Sequence, residues 1–166
     1  MSSGFLVEDV VAREVRFGAY IDCLENSVFN WLDVSGVFVD SPEGGDPRHW
    51  QDIYIQSDVQ NLTFNDCVFT KGSGWAVQLW GGDQQDFFTP SRNISFNNTY
   101  IDVTQGQLPI VIGSGYSGVS FQNTTIKARD NSVYGDVVRV YGGHDVTFDG
   151  FDVTGGEVLA YVYSDD

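Results

Sequence analysis

The chain has 166 residues, which is enough for one domain with a hydrophobic core. Its formal charge of −15, from 23 acidic and 8 basic side chains, argues against binding to nucleic acid or to a membrane, because an anionic ligand needs a basic protein surface. The same charge is typical of a soluble surface, and it also fits a chain that binds cations or a neutral substrate. An apolar share of 42% indicates a folded chain.

The beginning of the sequence predicts no targeting segment. Residues 1–18 contain no basic leader followed by a long apolar run, so no secretory signal peptide is predicted. No stretch of the sequence is long enough and apolar enough to cross a bilayer.

A sequence motif of about ten residues recurs along the chain. Its most regular copy is 145–154, and the other copies align with it on a central large apolar residue, at spacings of 22, 35, 32, 25 and 27 residues. These central residues are Val7, Phe29, Phe64, Phe96, Phe121 and Phe148. Self-similarity at this period predicts a fold built from stacked repeats.

Each copy predicts two short strands joined by a tight turn. Apolar and polar residues alternate, a polar pair such as Asn65-Asp66 or Asp149-Gly150 follows, and a second apolar residue comes five positions after the first. Asn, Asp and Gly tolerate the left-handed backbone conformation of such turns. A third strand accompanies each copy, at 19–21, 53–55, 75–80, 108–112, 137–141 and 158–163. Three short strands per repeat predict the coils of a β-solenoid, in which stacking buries the apolar face of each coil.

The ends of the solenoid carry no recognisable cap. Residues 1–12 read as a shortened first coil, and neither end shows an amphipathic helix. We therefore expect residues 1–166 to form a single β-helix domain that is a fragment of a longer protein, or whose ends are covered by partners in end-to-end contacts or in a homo-oligomer.

Two irregular segments interrupt the repeat. Residues 40–49 lead into the strand at 53–55, and residues 81–92 follow the strand at 75–80. Long loops on a rigid scaffold often carry binding residues, so we expect these two to wall a groove over the third sheet. The side chains expected to point outward there are Asp52, Tyr54, Gln78, Trp80, Pro109, Val111, Arg139 and Tyr141. Aromatic rings and planar polar groups in a trough are suited to sugar rings.

These motifs carry a family resemblance that covers nearly the whole chain. The N-[ILV]-[ST]-F turns and the G-x-x-V-x-V strands resemble the right-handed parallel β-helix of the pectin-lyase-like superfamily. The resemblance implies an all-β fold: a single right-handed parallel β-helix of about six coils with three short strands per coil. Residues 138–142 are similar to late coils of mannuronan C5-epimerases. Those enzymes, and lyases of the same fold, act on uronic-acid polysaccharides and abstract the proton at C5 after neutralising the carboxylate.

The epimerase signature Tyr-Gly-x-Asp-Pro-His has only a partial counterpart, at residues 45–49. The tyrosine is absent, and an extra arginine separates the proline from the histidine. The resemblance implies roles for His49 in proton transfer and for Asp46 in substrate binding. The alternative for His49 is a solvated loop histidine.

The remaining candidate residues each have a functional and a structural interpretation. Arg139 could neutralise a substrate carboxylate or form an ion pair with a neighbouring acid, and Tyr54 could transfer a proton or simply pack. Gln78, Trp80 and Tyr141 could bind sugar or pack beneath the two loops. Asp83 and Asp86 could hold Ca²⁺, the one cofactor considered, or form part of a solvated loop.

The sequence therefore predicts a carbohydrate-active β-helix module that engages a polysaccharide in a groove on one parallel sheet, with lyase or epimerase chemistry as the expected reaction if it is catalytic. The alternative is a non-catalytic structural or adhesive solenoid, such as a segment of a phage tailspike or a surface adhesin. Either interpretation predicts an extracellular location, or one on a cell or virion surface. The two cysteines, Cys23 and Cys67, occupy different phases of the repeat and are expected to be buried free thiols.

Overall fold

The computed structural model describes residues 2–15, 17–36, 50–71, 74–81, 90–104, 108–130 and 135–163, and these contain strands and no helix. The strands of the first half are β1 (Ser2–Ser3), β2 (Leu6–Glu8), β3 (Val11–Val15), β4 (Ala19–Ile21), β5 (Leu24–Asn30), β6 (Asp33–Gly36), β7 (Ile53–Ile55), β8 (Gln60–Asn65), β9 (Val68–Thr70) and β10 (Trp75–Leu79). Those of the second half are β11 (Ser91–Asn97), β12 (Tyr100–Asp102), β13 (Leu108–Ile112), β14 (Tyr116–Gln122), β15 (Thr125–Lys127), β16 (Asp136–Tyr141), β17 (His144–Asp149), β18 (Asp152–Thr154) and β19 (Val158–Tyr163).

The strands form three sheets in which every third strand is a neighbour. Sheet A has the order β1-β5-β8-β11-β14-β17, with β2 also paired to β5; sheet B is β3-β6-β9-β12-β15-β18; sheet C is β4-β7-β10-β13-β16-β19. The pairings within each sheet are parallel, for example β11 with β14 and β10 with β13. The described residues therefore form a parallel β-helix of six coils, as the repeat predicted. Each coil adds one strand to each sheet, except that the first coil adds both β1 and β2 to sheet A.

The central apolar residues of the repeat form one column in the core. The rings of Phe29, Phe64, Phe96 and Phe121 stack with centroids 4.7 Å apart at each step, and Phe148 continues the column at 5.5 Å. Val7 pairs with Phe29 at the first coil. The predicted alignment is thus confirmed, and residues 22 to 35 positions apart in sequence become vertical neighbours.

The second apolar residue of each copy forms a parallel column from sheet B. Its register runs through Ala12, Val34, Phe69, Ile101, Ile126 and Val153. Sheet C closes the interior with Ile53, Val77, Ile110 and Val138 in one row, all of them buried. Burial of these three columns is the main source of stability, because each coil alone would leave them in water.

The left-handed backbone conformation recurs at equivalent positions of successive coils. The corner between sheets A and B has positive φ at Asp9, Trp31, Asp66, Asn98, Asn123 and Gly150. The repeat predicted this corner from its Asn, Asp and Gly pairs. A further left-handed column runs along sheet A, where the sequence predicted extended chain. It contains Gly4, between β1 and β2, and Asn26, Asn61, Asn93, Gly118 and Asp145, within the strands.

Side-chain amides link successive coils along sheet A. The Nδ2 group of Asn65 donates to Oδ1 of Asn30 at 2.9 Å, and Nδ2 of Asn97 donates to Oδ1 of Asn65 at 2.8 Å. At the next position, Nδ2 of Asn98 donates to Oδ1 of Asp66 at 3.1 Å. These ladders satisfy side-chain polar groups in register with the backbone hydrogen bonds, and so they resist slippage of one coil past the next.

Both cysteines are free, but only one is buried. Cys67 lies in the core, and burial raises the pKa of its thiol to about 11. The prediction of burial is wrong for Cys23, which is exposed. Its φ of 53° places it at a turn before β5, where the side chain points away from the core.

The Phe column should dominate the stability of the fold. Phe96 is fully buried between two stacked rings, so Phe96→Ala should lower the free energy of unfolding by about 3–5 kcal/mol, measured by denaturant titration. The control is Phe17→Ala, because Phe17 is exposed and its loss should change stability by less than about 0.5 kcal/mol. Equal effects of the two variants would contradict a continuous core column.

Trp31 offers a stabilising substitution. It is 52% exposed and has φ 55°, in the column where Asp66, Asn98 and Asn123 stand in other coils. Trp31→Asn should raise the unfolding free energy by about 1 kcal/mol, because asparagine tolerates this conformation better than a bulky side chain. Trp31→Ala, which keeps the Cβ penalty, serves as control. The explanation fails if the alanine variant gains as much as the asparagine variant.

Candidate functional site

The outer face of sheet C carries most of the sequence-predicted site residues that the structure describes. Strand register places one outward row through Tyr20, Tyr54, Gln78, Val111, Arg139 and Tyr161. The row crosses all six strands of the sheet, a length of roughly 24 Å at the usual strand spacing. On the same side, Trp80 follows the end of β10, and Tyr141 and Tyr163 are the last residues of β16 and β19, where they are register partners.

The middle of this row is covered. Gln78 is only 5% exposed and Val111 is fully buried, although both point away from the hydrophobic core. Oε1 of Gln78 accepts a hydrogen bond from Nε2 of Gln51 at 2.5 Å. Gln78 was predicted to contact substrate, but in the structure its carboxamide packs against the amide of Gln51. The exposed parts of the face therefore lie on either side of Gln78.

Tyr54 is held by the next coil. Its hydroxyl donates to the carbonyl oxygen of Trp80 at 3.1 Å, and its ring lies 5.3 Å from the ring of Tyr20. Because the phenolic proton is already engaged with a backbone oxygen, the geometry favours a fixed ring surface over a proton-transfer group. Tyr20, beside it, is 57% exposed and presents its ring to solvent.

Trp80 reaches across a coil because the intervening position is glycine. A Cβ atom on Gly113 would lie 2.6 Å from Cε3 of Trp80, so only glycine leaves room for the indole. The indole then meets Tyr141 edge-on, with ring centroids 5.4 Å apart, and Tyr141 stacks on Tyr163 at 5.0 Å. These three rings form a packed aromatic cluster on the outer face of the sheet.

Arg139 is committed to neighbouring groups. Its Nε and Nη2 groups donate to the two carboxylate oxygens of Asp136, each at 2.6 Å, and Nη1 donates to the Tyr141 hydroxyl at 3.1 Å. Burial opposes the positive charge, but the hydrogen bonds to Asp136 and Tyr141 more than offset it and raise the pKa of Arg139. The guanidinium also lies 5.9 Å from the rings of Tyr141 and Tyr161. The ion-pair interpretation therefore describes this residue in the structure, and its fork is already occupied by a carboxylate of the protein.

Four candidate residues lie outside the described residues: Asp46, His49, Asp83 and Asp86. Most residues of the two loops that were expected to wall the groove, 40–49 and 81–92, also lie outside the described residues, so the groove stays a prediction. In the ranges that the structure describes, no group of three or more His, Cys, Asp or Glu side chains is arranged to hold a metal ion.

Sequence reasoning missed three aromatic residues that extend the face to both ends. Tyr20 stands beside Tyr54 in register, and Tyr161 and Tyr163 lie on the last strand. Tyr161 is 45% exposed. The sequence contains this signal, because Tyr20 occupies the same place in its strand as Tyr54 does in the next coil. The expected groove, however, covered only the strands at 52–56, 76–80, 108–112 and 137–141, and left out the first and last strands of the sheet.

Comparisons with protein-family models, with curated proteins and with solved structures found no match to this chain. No helix among the described residues has the length and apolar character needed to cross a membrane.

The Arg139–Asp136 pair should be a structural element. The Asp136 side chain is 1% exposed, so Arg139→Ala would leave a buried carboxylate without its main partner. We expect the variant to lose about 3–5 kcal/mol of unfolding free energy in a denaturant titration. The double variant Asp136→Asn/Arg139→Ala should recover a large part of this loss, and a double variant no more stable than Arg139→Ala would argue against the pair.

Proposed function

We propose that this chain is a polysaccharide-binding β-helix module that holds sugar rings along the outer face of sheet C. The observation that carries the proposal is the aromatic set on that face. Its members are Tyr20, Tyr54, Trp80, Tyr141, Tyr161 and Tyr163. A sugar presents apolar C–H groups on its ring faces and hydroxyls at its edges, which suits exposed tyrosine rings with polar tips.

The rigidity of the face supports the proposal. Tyr54 is fixed by its hydrogen bond to the backbone of the next coil, and Tyr141 is fixed by Trp80, Tyr163 and Arg139. Side chains that are already ordered lose little conformational entropy when a ligand binds. Rings carried by five of the six parallel strands of sheet C are therefore a suitable platform for an extended, repetitive ligand.

The charge of the protein favours a neutral polysaccharide. A formal charge of −15 repels polyuronates unless Ca²⁺ bridges the two. The one basic side chain assigned to a substrate carboxylate, Arg139, is paired with Asp136. Binding is thus better supported than lyase or epimerase chemistry, because the Tyr54 hydroxyl and the Arg139 guanidinium are already engaged with other groups of the protein.

Two finer proposals accompany this one. The pectin-lyase-like superfamily is the family we propose for the coil, supported by its three parallel sheets and its Asn- and Gly-containing corners. An extracellular location, or one on a cell or virion surface, is proposed because a polysaccharide ligand would be met there.

Exposed rings at the two ends of the face should contribute to affinity. Tyr20→Ala and Tyr161→Ala should each weaken binding to neutral polysaccharides about fivefold to tenfold, measured by affinity electrophoresis across a panel of soluble glycans. Both residues are exposed, so the fold should be retained. Trp31→Asn is the matched control, because Trp31 is an exposed aromatic residue outside sheet C.

Two results would overturn the proposal. The first is a wild-type protein that binds none of the glycans, which would leave the structural or adhesive solenoid as the better account. The second is binding that Tyr20→Ala and Tyr161→Ala reduce no more than Trp31→Asn does.

A further inference from the structure

Sheet A has an outer face of a different character from sheet C. One row of side chains along it is made of hydroxyls, at Thr63, Ser95, Ser120 and Thr147. Beside this row runs the left-handed column of sheet A described above, which contains Asn26, Asn61 and Asn93. The hydroxyls and asparagines named here are uncharged, and the one acidic member of the column is Asp145, on the coil beyond Gly118.

Hydrogen bonds between coils order this column. The Nδ2 group of Asn61 donates to Oδ1 of Asn26 at 2.8 Å, and Nδ2 of Asn93 donates to Oδ1 of Asn61 at 2.9 Å. Each asparagine in the ladder is fixed by its neighbours, so the remaining amide hydrogens and lone pairs point in defined directions.

The ladder stops at the next coil, where the column holds Gly118. Its φ of 61° is the same left-handed conformation, but it has no amide to donate to Asn93. Oδ1 of Asn93 lies 3.0 Å from the point that a Cβ on Gly118 would occupy. Among the described residues, none donates a hydrogen bond to this oxygen.

The outer face of sheet A has a depression beside Gly118, where the column has no side-chain amide. It has a volume of about 350 Å³, near the lower end of the range for small-molecule sites. The amides of Asn61 and Asn93 and the hydroxyls of Thr63, Ser95 and Ser120 line it, and Ile94 and Gly118 complete the lining. The Ser95 hydroxyl donates to Oγ1 of Thr63 at 3.3 Å, which orders one side of the depression.

We propose that the depression at Gly118 is a binding site for one residue of a neutral sugar. An uncharged lining of amides and hydroxyls matches the hydroxyl groups of a sugar, and Asn93 Oδ1 provides a fixed acceptor where the ladder ends. The site lacks an aromatic ring, so its selectivity depends on the positions of ligand hydroxyls and not on stacking. It lies on a different face from the tyrosine row of sheet C and does not depend on binding there.

The decisive variant is Gly118→Asn. Asparagine accepts the left-handed backbone of this position, and its side chain fills the depression. Its Cβ would lie 3.0 Å from Asn93 Oδ1, so the Asn93 amide must shift slightly before it can accept a hydrogen bond from the new amide. The probes are neutral gluco-, manno-, galacto- and xylo-oligosaccharides, titrated while the backbone amide resonances of Ser95 and Ser120 are followed by NMR. We expect the wild-type protein to show saturable shifts at these two amides with at least one probe. We expect Gly118→Asn to weaken that binding at least tenfold while its thermal midpoint stays unchanged or rises.

Gly4→Asn is the matched control. Gly4 belongs to the same column, with φ 76° and no atom within 4 Å of an added Cβ, but it lies on the first coil, away from the depression. It should bind the probe as the wild type does. Ser120→Val provides a second variant, which removes one lining hydroxyl and leaves Gly118 and its left-handed backbone unchanged. It should also weaken binding.

The proposal is overturned if no probe shifts the Ser95 and Ser120 amides, or if Gly118→Asn and Ser120→Val bind as tightly as Gly4→Asn. A Gly118→Asn variant that binds normally on sheet C but not here would support the site. Loss of binding in Tyr20→Ala and Tyr161→Ala concerns sheet C alone, so the two proposals can fail separately.

Discussion

Parallel pairing of each coil with the next is the constraint on which the rest of the structure depends. A single coil has three short strands and no second layer, so its Phe, Ile and Val side chains would stay in water. Once the next coil pairs in register, Phe96 lies 4.7 Å from both Phe64 and Phe121, and the backbone of each strand is satisfied by its neighbours. Core burial and hydrogen bonding are thus gained together, coil by coil.

The corners make this register specific. A shift of one residue between coils would turn the Phe column outward, and it would also break the asparagine ladders at Asn61 and Asn65. Left-handed positions recur at the same place in each coil because Asn, Asp and Gly occur there in most copies. Trp31 is the exception in its column: it is the one member that is not Asn, Asp or Gly, and it is exposed with a positive φ.

The outer faces of sheets A and C share one scaffold but differ in chemistry. Sheet C presents tyrosine rings fixed by neighbouring coils, whereas sheet A presents amides and hydroxyls. Both faces owe one feature to a glycine: Gly113 admits the Trp80 indole, and Gly118 interrupts the amide ladder. In a repeat fold, the absence of a side chain in one coil changes what the coils on either side can present.

The alternation of apolar residues predicted the three columns and the stacking order of the coils. The period of two residues within a strand determines which side chains point inward, and the spacing of the repeat determines which residues of successive coils align. It also predicted the Asn65-Asp66 corner. It did not predict that Gln78 and Val111 are covered, since the period gives the direction of a side chain and not what lies over it. The Arg139–Asp136 pair was also beyond it, because residues three apart in a regular strand point to opposite faces. Cys23 was misplaced because its turn does not follow the alternation.

The stacking of coils can be tested in solution through nuclear Overhauser contacts between aromatic rings, with each phenylalanine labelled selectively. The account predicts contacts from the Phe96 ring to the rings of both Phe64 and Phe121, which are 32 and 25 residues away in sequence. A folded protein in which Phe96 contacts neither ring would contradict the stacked column, and with it the two faces on which the proposed sites lie.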